Sequence, residues 1–322
     1  MRSIQAAIGL TLLLLLSACG SSSKPAASAP TGGATTSTTA VANTHGPYAV
    51  GSRTFTYVDS SRPTMANGSA PEKTSRTLET LVEYPAAGEA SNGVTKNAPS
   101  VDGTFPVIVY VHGFGAHADN PYSEPFARAG FVVVAPKFPL TNADAQGGPN
   151  RSDAINEPYD ISFILSQVAK DPAVGKISDT NNVAVFGESL GANVAMNTGF
   201  VPASRDQRVK AVVAASGGCA GCPHTTKYEK GTMPVMFVHG TDDPVVPYQW
   251  SADEYARAKA PKFLLSLTGA KHVQYGDPWE PIVTKSLVDF FDRYLKNDDA
   301  ALNQLPTDAN VAGTTKLQSQ AS

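Results

Sequence analysis

The order of the apolar runs limits the possible folds of this chain more than any other property of its sequence. Five short runs are continuous rather than alternating, which is typical of strands buried on both faces of a parallel sheet. They cover residues 107–111, 131–134, 183–186, 209–215 and 235–238, and residues 262–267 are predicted to form a further strand. Strands of this kind need helices over both faces of the sheet.

Helix-length segments lie between these runs. In segment 158–169, Ile161, Ile164, Leu165 and Val168 share one helical face. Further helices are predicted over 192–200, 251–260 and 281–295, and antiparallel edge strands over 53–58 and 77–84. The alternation predicts right-handed crossovers and one layered α/β domain over residues 46–296, with a mostly parallel central sheet and helices on both faces.

The pentapeptide Gly187-Glu188-Ser189-Leu190-Gly191 directly follows one predicted strand and precedes a predicted helix. In that context G-x-S-x-G is typical of a nucleophile elbow. The glycines leave room for the chain to reverse beside the serine, and the helix N-terminus behind it favours developing negative charge. Ser189 is therefore the candidate nucleophile.

A serine nucleophile needs a general base, and the base needs an acid to orient it. Among six histidines, His272 lies on a loop after the predicted strand 262–267, and it follows Ser189 in the chain. The acid is expected after strand 235–238, where Asp242 and Asp243 are adjacent. We predict that Asp243 is the acid and that Asp242 is a turn residue.

Three segments together resemble an α/β-hydrolase: the pentapeptide, His-Gly-Thr-Asp-Asp-Pro-Val-Val-Pro at 239–247, and Gly-Ala-Lys-His at 269–272. They are similar to the branch that holds chlorophyllases, platelet-activating-factor acetylhydrolases, dienelactone hydrolases and cutinase-like polyester hydrolases, over about residues 50–296. In this family's H-G-T-x-D-x-x-V-P pattern, the aspartate that matches Asp243 is the triad acid. Dienelactone hydrolases proper have a cysteine nucleophile, so Ser189 departs from them and counts against that label.

The resemblance implies an α/β-hydrolase fold and an oxyanion hole. One donor is expected to be the backbone N–H of Leu190, which follows the nucleophile. By resemblance, the second is the N–H of Phe114 in His112-Gly113-Phe114-Gly115, where His112 is read as structural. Segment 216–233, where many lipases insert a lid, is too short for a large lid domain.

The N-terminus is typical of a secretory signal, because Arg2 precedes an apolar stretch that ends in small residues. Leu16-Ser17-Ala18-Cys19 resembles a bacterial lipobox, which implies a lipoprotein signal peptide over 1–18 and lipidation of Cys19. Residues 19–45 are rich in Ser, Ala, Thr and Pro and are predicted to be a flexible tether. The protein is thus predicted to be exported and lipid-anchored to the bacterial cell envelope, with residues 297–322 as a polar C-terminal tail.

Cys219 and Cys222 are separated by two residues on a predicted loop after strand 209–215. In an exported protein a local disulfide is the preferred interpretation. Zinc binding by these two cysteines with His224 is the alternative, although a fourth ligand is not evident. No metal site is therefore predicted.

The leading functional hypothesis is a serine carboxylic-ester hydrolase that acts through Ser189, His272 and Asp243 and an acyl-enzyme, without a cofactor. Small-molecule or polymeric esters are the expected substrates, and the protein is expected to be a monomer. A formal net charge of −3 argues against nucleic acid as a partner. A serine peptidase of the same fold and a catalytically silent binding lipoprotein are the alternatives.

Overall fold

The computed structural model describes residues 46–91, 93–218, 233–273 and 276–322. The predicted signal peptide, the predicted tether, Cys19, Cys219 and Cys222 lie outside these residues. The predictions made for them therefore stay predictions.

Ten strands form one mixed sheet in the described part of the chain. In chain order they are β1 (Ala49–Asp59), β2 (Arg76–Ala86), β3 (Val94–Lys96), β4 (Phe105–Val111), β5 (Val132–Lys137), β6 (Ser178–Glu188), β7 (Val209–Ala215), β8 (Val235–Gly240), β9 (Lys262–Leu267) and β10 (Thr315–Gln320). Across the sheet the order is β10-β9-β8-β7-β6-β4-β5-β2-β1-β3. The six strands from β9 to β5 in this order are parallel, and antiparallel strands flank them on both sides.

Helices cover both faces of this sheet. They are α1 (Ser123–Arg128), α2 (Glu157–Val168), α3 (Leu190–Phe200), α4 (Tyr248–Arg257), α5 (Gly276–Lys296) and α6 (Asp299–Ala309), with 3-10 helices at Arg151–Ile155 and Gly175–Ile177. Apolar side chains of α2, α3 and α4 belong to the core on one face of the sheet, and those of α1, α5 and α6 to the core on the other. The predicted layered α/β architecture is confirmed.

Strand β4 shows why the central runs are continuous. All seven of its residues are buried. Val107, Val109 and Val111 contribute to the core beneath α2 and α3. Ile108 and Tyr110 contribute to the core beneath α1 and α5. A strand covered on both faces has no solvent-facing position, so it carries no polar alternation.

The parallel strands bring three loops to one edge of the sheet. Strand β6 ends at Glu188, β8 at Gly240 and β9 at Leu267, and their register places these carboxyl ends side by side. In open α/β sheets this edge is where ligands bind. The predicted site residues follow these three strands directly.

The two predicted antiparallel strands, 53–58 and 77–84, do form a pair, but neither is an edge strand. Strand β3 pairs with the outer side of β1, and β5 pairs with the other side of β2. The three-residue strand β3 has no pattern long enough to be recognised in the sequence. None of the helices formed by the described residues combines the length and the hydropathy that a membrane span requires.

The prediction of a polar tail over residues 297–322 is wrong for most of that segment. The Asp298 carboxylate caps α6 by accepting hydrogen bonds from the N–H groups of Ala300 and Ala301. Leu305 is fully buried in the core beneath α5. Strand β10 then pairs with the free edge of β9. This strand was not recognised in the sequence because β10 is an edge strand with mostly exposed side chains, so its residues are polar.

Candidate active site

Ser189 occupies the sharp turn between β6 and α3. Its backbone has φ 55° and ψ −118°, which a non-glycine residue rarely adopts. A Cβ atom on Gly187 would lie 2.0 Å from the Gly191 carbonyl oxygen, and one on Gly191 would lie 2.1 Å from that of Val111. Only glycine fits at these two positions, so the pentapeptide pattern follows from the turn itself.

The structure brings Ser189, His272 and Asp243 together. The Ser189 hydroxyl lies 2.9 Å from His272 Nε2. His272 Nδ1 lies 2.7 Å from Asp243 Oδ2. Because a carboxylate only accepts hydrogen bonds, Nδ1 carries the imidazole proton, and the Nε2 lone pair faces the serine. This is the arrangement in which a histidine can take a proton from a serine hydroxyl.

Asp243 is held as a carboxylate. Its side chain is fully buried, and Oδ1 accepts hydrogen bonds from the N–H groups of Val245 and Val246 at 2.8 and 2.9 Å. Burial by itself raises the pKa of Asp243, but the hydrogen bonds from Val246, His272 and Val245 outweigh it and leave this pKa lowered. Asp242, by contrast, is exposed, and its carboxylate accepts a hydrogen bond from Thr241 Oγ1.

His239 is a residue that sequence reasoning left without a role. It is fully buried, its Nε2 lies 2.9 Å from the Val246 carbonyl oxygen and 3.2 Å from Asp243 Oδ2, and its Nδ1 lies 2.6 Å from Ser251 Oγ. Nε2 therefore carries the proton, and burial lowers the pKa of His239. The four-residue spacing of this histidine and Asp243 in H-G-T-D-D is a signal that the sequence contains but that was not used to predict their contact.

The loop that carries His272 is joined to the loop that follows β8. Thr241 Oγ1 accepts a hydrogen bond from the Gly269 N–H at 2.9 Å, and the Asp242 N–H donates to the Ala270 carbonyl oxygen at 3.1 Å. A Cβ atom on Gly240 would lie 2.2 Å from that same oxygen. The Gly-Thr pair of the motif thus fixes His272 relative to Asp243.

The loop of residues 112–116, here called the Phe114 loop, passes beside the serine. A Cβ atom on Gly113 would lie 3.2 Å from the Ser189 Cβ. Neither the N–H of Phe114 nor that of Leu190 has an acceptor among the described residues. The Phe114 ring is 45% exposed and lies beneath the Arg151 guanidinium, 5.6 Å from its central carbon, so it is not part of the core.

The Phe114 loop is held by segment 138–143. His112, which is buried, accepts a hydrogen bond at Nε2 from the Phe138 N–H at 3.3 Å and donates from Nδ1 to the Gly113 carbonyl oxygen at 2.8 Å. The Gly115 N–H donates to the Thr141 carbonyl oxygen at 2.8 Å. The structural role predicted for His112 is consistent with these contacts.

A buried acid lies next to the serine in the chain. Glu188 accepts a hydrogen bond from the Tyr110 hydroxyl at 2.6 Å. Burial raises the pKa of Glu188 to about 7, the Tyr110 hydroxyl opposes this, and the charge of Glu280 adds to it. Glu188 points into the core beneath α1 and α5, away from the Ser189 hydroxyl, because Phe186 two positions earlier belongs to that core.

A cavity of about 210 Å³ lies elsewhere at this edge of the sheet. It is lined by residues from segments 64–79 and 137–146, and by none of Ser189, Asp243 and His272. Within the described ranges, no group of three or more His, Cys, Asp or Glu residues is placed to hold a metal ion. The Cys219, Cys222 and His224 alternative lies outside those ranges.

Comparison with known proteins identifies the family. Residues 93–272 match the family model described as the dienelactone hydrolase family. The chain belongs to this family. The serine at position 189, which counted against dienelactone hydrolases proper, therefore does not exclude the chain from the family as a whole.

The fold is that of an α/β-hydrolase. A solved structure, the ferulic acid esterase from Streptomyces cinnamoneus, is 18% identical to this chain, with a TM-score of 0.61 over 80% of this chain and 93% of that chain. At that identity the likeness supports the fold alone. A search of curated proteins returned no match.

Proposed function

We propose that this member of the dienelactone hydrolase family is a serine carboxylic-ester hydrolase. The observation that carries the proposal is the continuous hydrogen-bonded series from Ser189 Oγ to His272 and on to Asp243, with distances of 2.9 and 2.7 Å. It begins at the elbow between β6 and α3. Each group has the partner that its role requires.

In the proposed reaction, Ser189 Oγ attacks the ester carbonyl while His272 Nε2 takes the hydroxyl proton. The imidazolium then lies against the Asp243 carboxylate, which stabilises its charge. His272 then gives this proton to the alcohol oxygen of the ester as the C–O bond breaks. The alcohol leaves, and the acyl group stays on Ser189. Water activated by the same imidazole hydrolyses the acyl-enzyme and restores the serine.

The developing oxyanion is expected to accept hydrogen bonds from the backbone N–H groups of Leu190 and Phe114. Leu190 is the first residue of α3, and the first N–H groups of a helix have no intrahelical acceptor. The closeness of Gly113 to Ser189 supports the assignment of the Phe114 N–H. Loss of one such donor typically lowers kcat by about 10²–10³-fold.

The test uses the purified protein and p-nitrophenyl esters of graded acyl length. Wild type is expected to hydrolyse the short esters and to be labelled on Ser189 by a fluorophosphonate probe. Ser189→Ala should abolish both while keeping its melting temperature. Turnover retained in folded Ser189→Ala would exclude Ser189 as the nucleophile.

The same assays on the purified protein distinguish two other functions from ester hydrolysis. A serine peptidase would also be labelled by the probe and would cleave peptide amides, which an ester hydrolase leaves intact. A catalytically silent binding lipoprotein would neither react with the probe nor turn over any ester. The complete Ser189, His272 and Asp243 arrangement favours the ester hydrolase over the silent protein.

We further propose that the protein is exported and held at a membrane surface by lipidated Cys19. The Leu-Ser-Ala-Cys run at 16–19 supports this. A single residue that carries several acyl chains would anchor the protein without spanning the bilayer. Cys19→Ser is expected to move the protein from the membrane fraction to the soluble fraction. A mutant that stays membrane-bound after a carbonate wash would indicate another anchor.

A further inference from the structure

We propose that Glu157 is a positioning residue for the Phe114 loop, that it acts through Thr141, and that it does so as a neutral carboxylic acid. This inference rests on the proposed ester hydrolysis, because the Phe114 loop supplies a proposed oxyanion donor. Glu157 is not in the loop and has no contact with Ser189, His272 or Asp243 among its described partners.

The connection from Glu157 to the loop has two steps. Thr141 Oγ1 donates a hydrogen bond to Glu157 Oε1 at 2.6 Å. The carbonyl oxygen of the same threonine accepts the Gly115 N–H at 2.8 Å. Both Thr141 and Glu157 are 1% exposed, so neither contact competes with solvent. The side-chain bond therefore sets where the Thr141 backbone meets the residue after Phe114.

The contact at Thr141 is one of three hydrogen bonds between segment 138–143 and the Phe114 loop. The others are the Phe138 N–H to His112 Nε2, and the Ala143 N–H to the Ala116 carbonyl oxygen at 2.9 Å. Thr141 is the member of the segment whose side chain is tied to a helix, since Glu157 is the first residue of α2. The helix thus holds the middle of the segment in place.

The charges around Glu157 explain why its acid would stay neutral. Arg76 donates to Asp153 and Asp160 at 2.6–3.0 Å. The second arginine, Arg62, donates to Asp59, Asp160 and a backbone carbonyl oxygen. Two guanidinium groups therefore face three aspartates, and neither guanidinium contacts Glu157 in the described chain. A fourth carboxylate would add a buried charge without a cation bonded to it.

The pKa of Glu157 agrees with this shortage of nearby cations. Burial raises the pKa of Glu157 to about 8; the hydrogen bond from Thr141 and the charge of Arg76 oppose this, while Asp160 and Asp153 add to it. The N-terminus of α2 favours negative charge, but Asp160 lies in the same first turn and already meets that preference. Glu157 is thus neutral at pH 7 and ionises as the pH rises through about 8.

Ionisation is expected to loosen the loop. Thr141 donates a stronger hydrogen bond to a charged carboxylate, but a charge without a counter-ion has to draw water into the junction between α2 and segment 138–143, and this water shifts the Thr141 backbone. Displacement of a catalytic group by about 1 Å can lower a rate by roughly 100-fold. The wild-type kcat should therefore decline above about pH 8 by a step that depends on Glu157.

The first measurement separates positioning from packing. Thr141→Val keeps the backbone carbonyl but removes the hydroxyl, and it should lower kcat on p-nitrophenyl acetate about tenfold with KM within about twofold. Thr141→Ser restores the hydroxyl and should recover most of kcat. Thr64→Val is the matched control, because Thr64 is also buried and donates to a single carbonyl oxygen, that of Ser75, outside the loop and segment. It should leave kcat unchanged.

The second measurement tests the neutral acid. Glu157→Gln keeps an acceptor for Thr141 without a charge, so it should retain wild-type kcat at pH 7 and lose the Glu157-dependent decline above pH 8. It should also gain melting temperature relative to wild type as pH rises from 5 to 9. A raised acid pKa means that the folded protein binds the extra proton in that interval, so wild-type stability falls there with rising pH.

The outcomes are distinct. An unchanged kcat in Thr141→Val, or a kcat loss in Glu157→Gln at pH 7 with the same pH profile as wild type, would overturn the proposal. If wild type neither hydrolyses esters nor reacts with a fluorophosphonate, the proposed function fails. The pH-dependent melting comparison would then still decide whether Glu157 is a neutral acid, because it does not depend on activity.

Discussion

Asp243→Asn is the substitution whose consequence follows most directly from the geometry. Asp243 Oδ1 accepts two backbone N–H groups, so the carbamoyl oxygen of Asn must take that position. The amide NH₂ then replaces Oδ2 and faces His272 Nδ1, which currently donates to it. Two donors cannot form a hydrogen bond, so His272 must move its proton to Nε2. In that tautomer it has no lone pair for the serine hydroxyl.

The size of the effect follows from the loss of the base. The wrong tautomer in a serine, histidine and aspartate arrangement lowers kcat by about 10⁴-fold, which is about 5 kcal/mol of transition-state stabilisation. The new amide NH₂ also faces His239, whose protonated Nε2 lies 3.2 Å from Oδ2. Some loss of stability is therefore expected beside the loss of rate, and the melting temperature has to be measured in parallel.

The assay is kcat and KM on p-nitrophenyl acetate together with the rate of fluorophosphonate labelling. Asp242→Asn is the matched control, since that carboxylate is exposed and its contact is with the adjacent Thr241. It should change kcat less than about twofold. A folded Asp243→Asn protein within tenfold of wild type, or equal losses in the two variants, would show that Asp243 does not set the tautomer of His272.

Three further predictions concern groups outside this arrangement. Glu188→Gln should gain stability relative to wild type as pH rises from 5 to 8, by up to about 3 kcal/mol, because burial raises the pKa of Glu188 to about 7 and the variant cannot ionise; a melting-temperature difference that does not vary with pH would contradict this. Leu305→Ala should lower the free energy of unfolding in urea by about 2–5 kcal/mol, because it opens a cavity beneath α5; a loss no larger than that of the exposed control Gln318→Ala would place α6 outside the core. Thiol titration of the unfolded, unreduced mature protein should find Cys219 and Cys222 unreactive, and two reactive thiols would remove the predicted disulfide.

Local steric rules made part of this protein predictable. The turn at Ser189 needs glycine at 187 and 191 because any Cβ there would overlap a backbone oxygen at about 2 Å. The pentapeptide can therefore be recognised from the sequence alone. The central strands are readable for a similar reason, since burial on both faces admits only apolar residues along a strand such as β4.

The C-terminal segment was mispredicted because its structure depends on distant partners. Strand β10 is polar and mostly exposed, and it forms because β9 offers an unpaired edge. Helix α6 buries Leu305 together with Ala301 and Ala309, and one leucine between two alanines is a weak apolar pattern. Neither the pairing partner nor the supporting helix can be read from residues 297–322 themselves.

Asp243 and Asp242 show which features of the site can be predicted from the sequence and which depend on the tertiary structure. The sequence alone predicts that the aspartate after β8 and the histidine after β9 lie at the same edge of the sheet, because the carboxyl ends of parallel strands meet there. Which of the two carboxylates is buried depends on how the loops fold together. Asp243 lies against two histidines and accepts two backbone N–H groups, while Asp242 faces solvent. The connection from Glu157 through Thr141 to Gly115 belongs to the same level, because it joins three segments through single hydrogen bonds, and such bonds impose no periodic pattern on the chain.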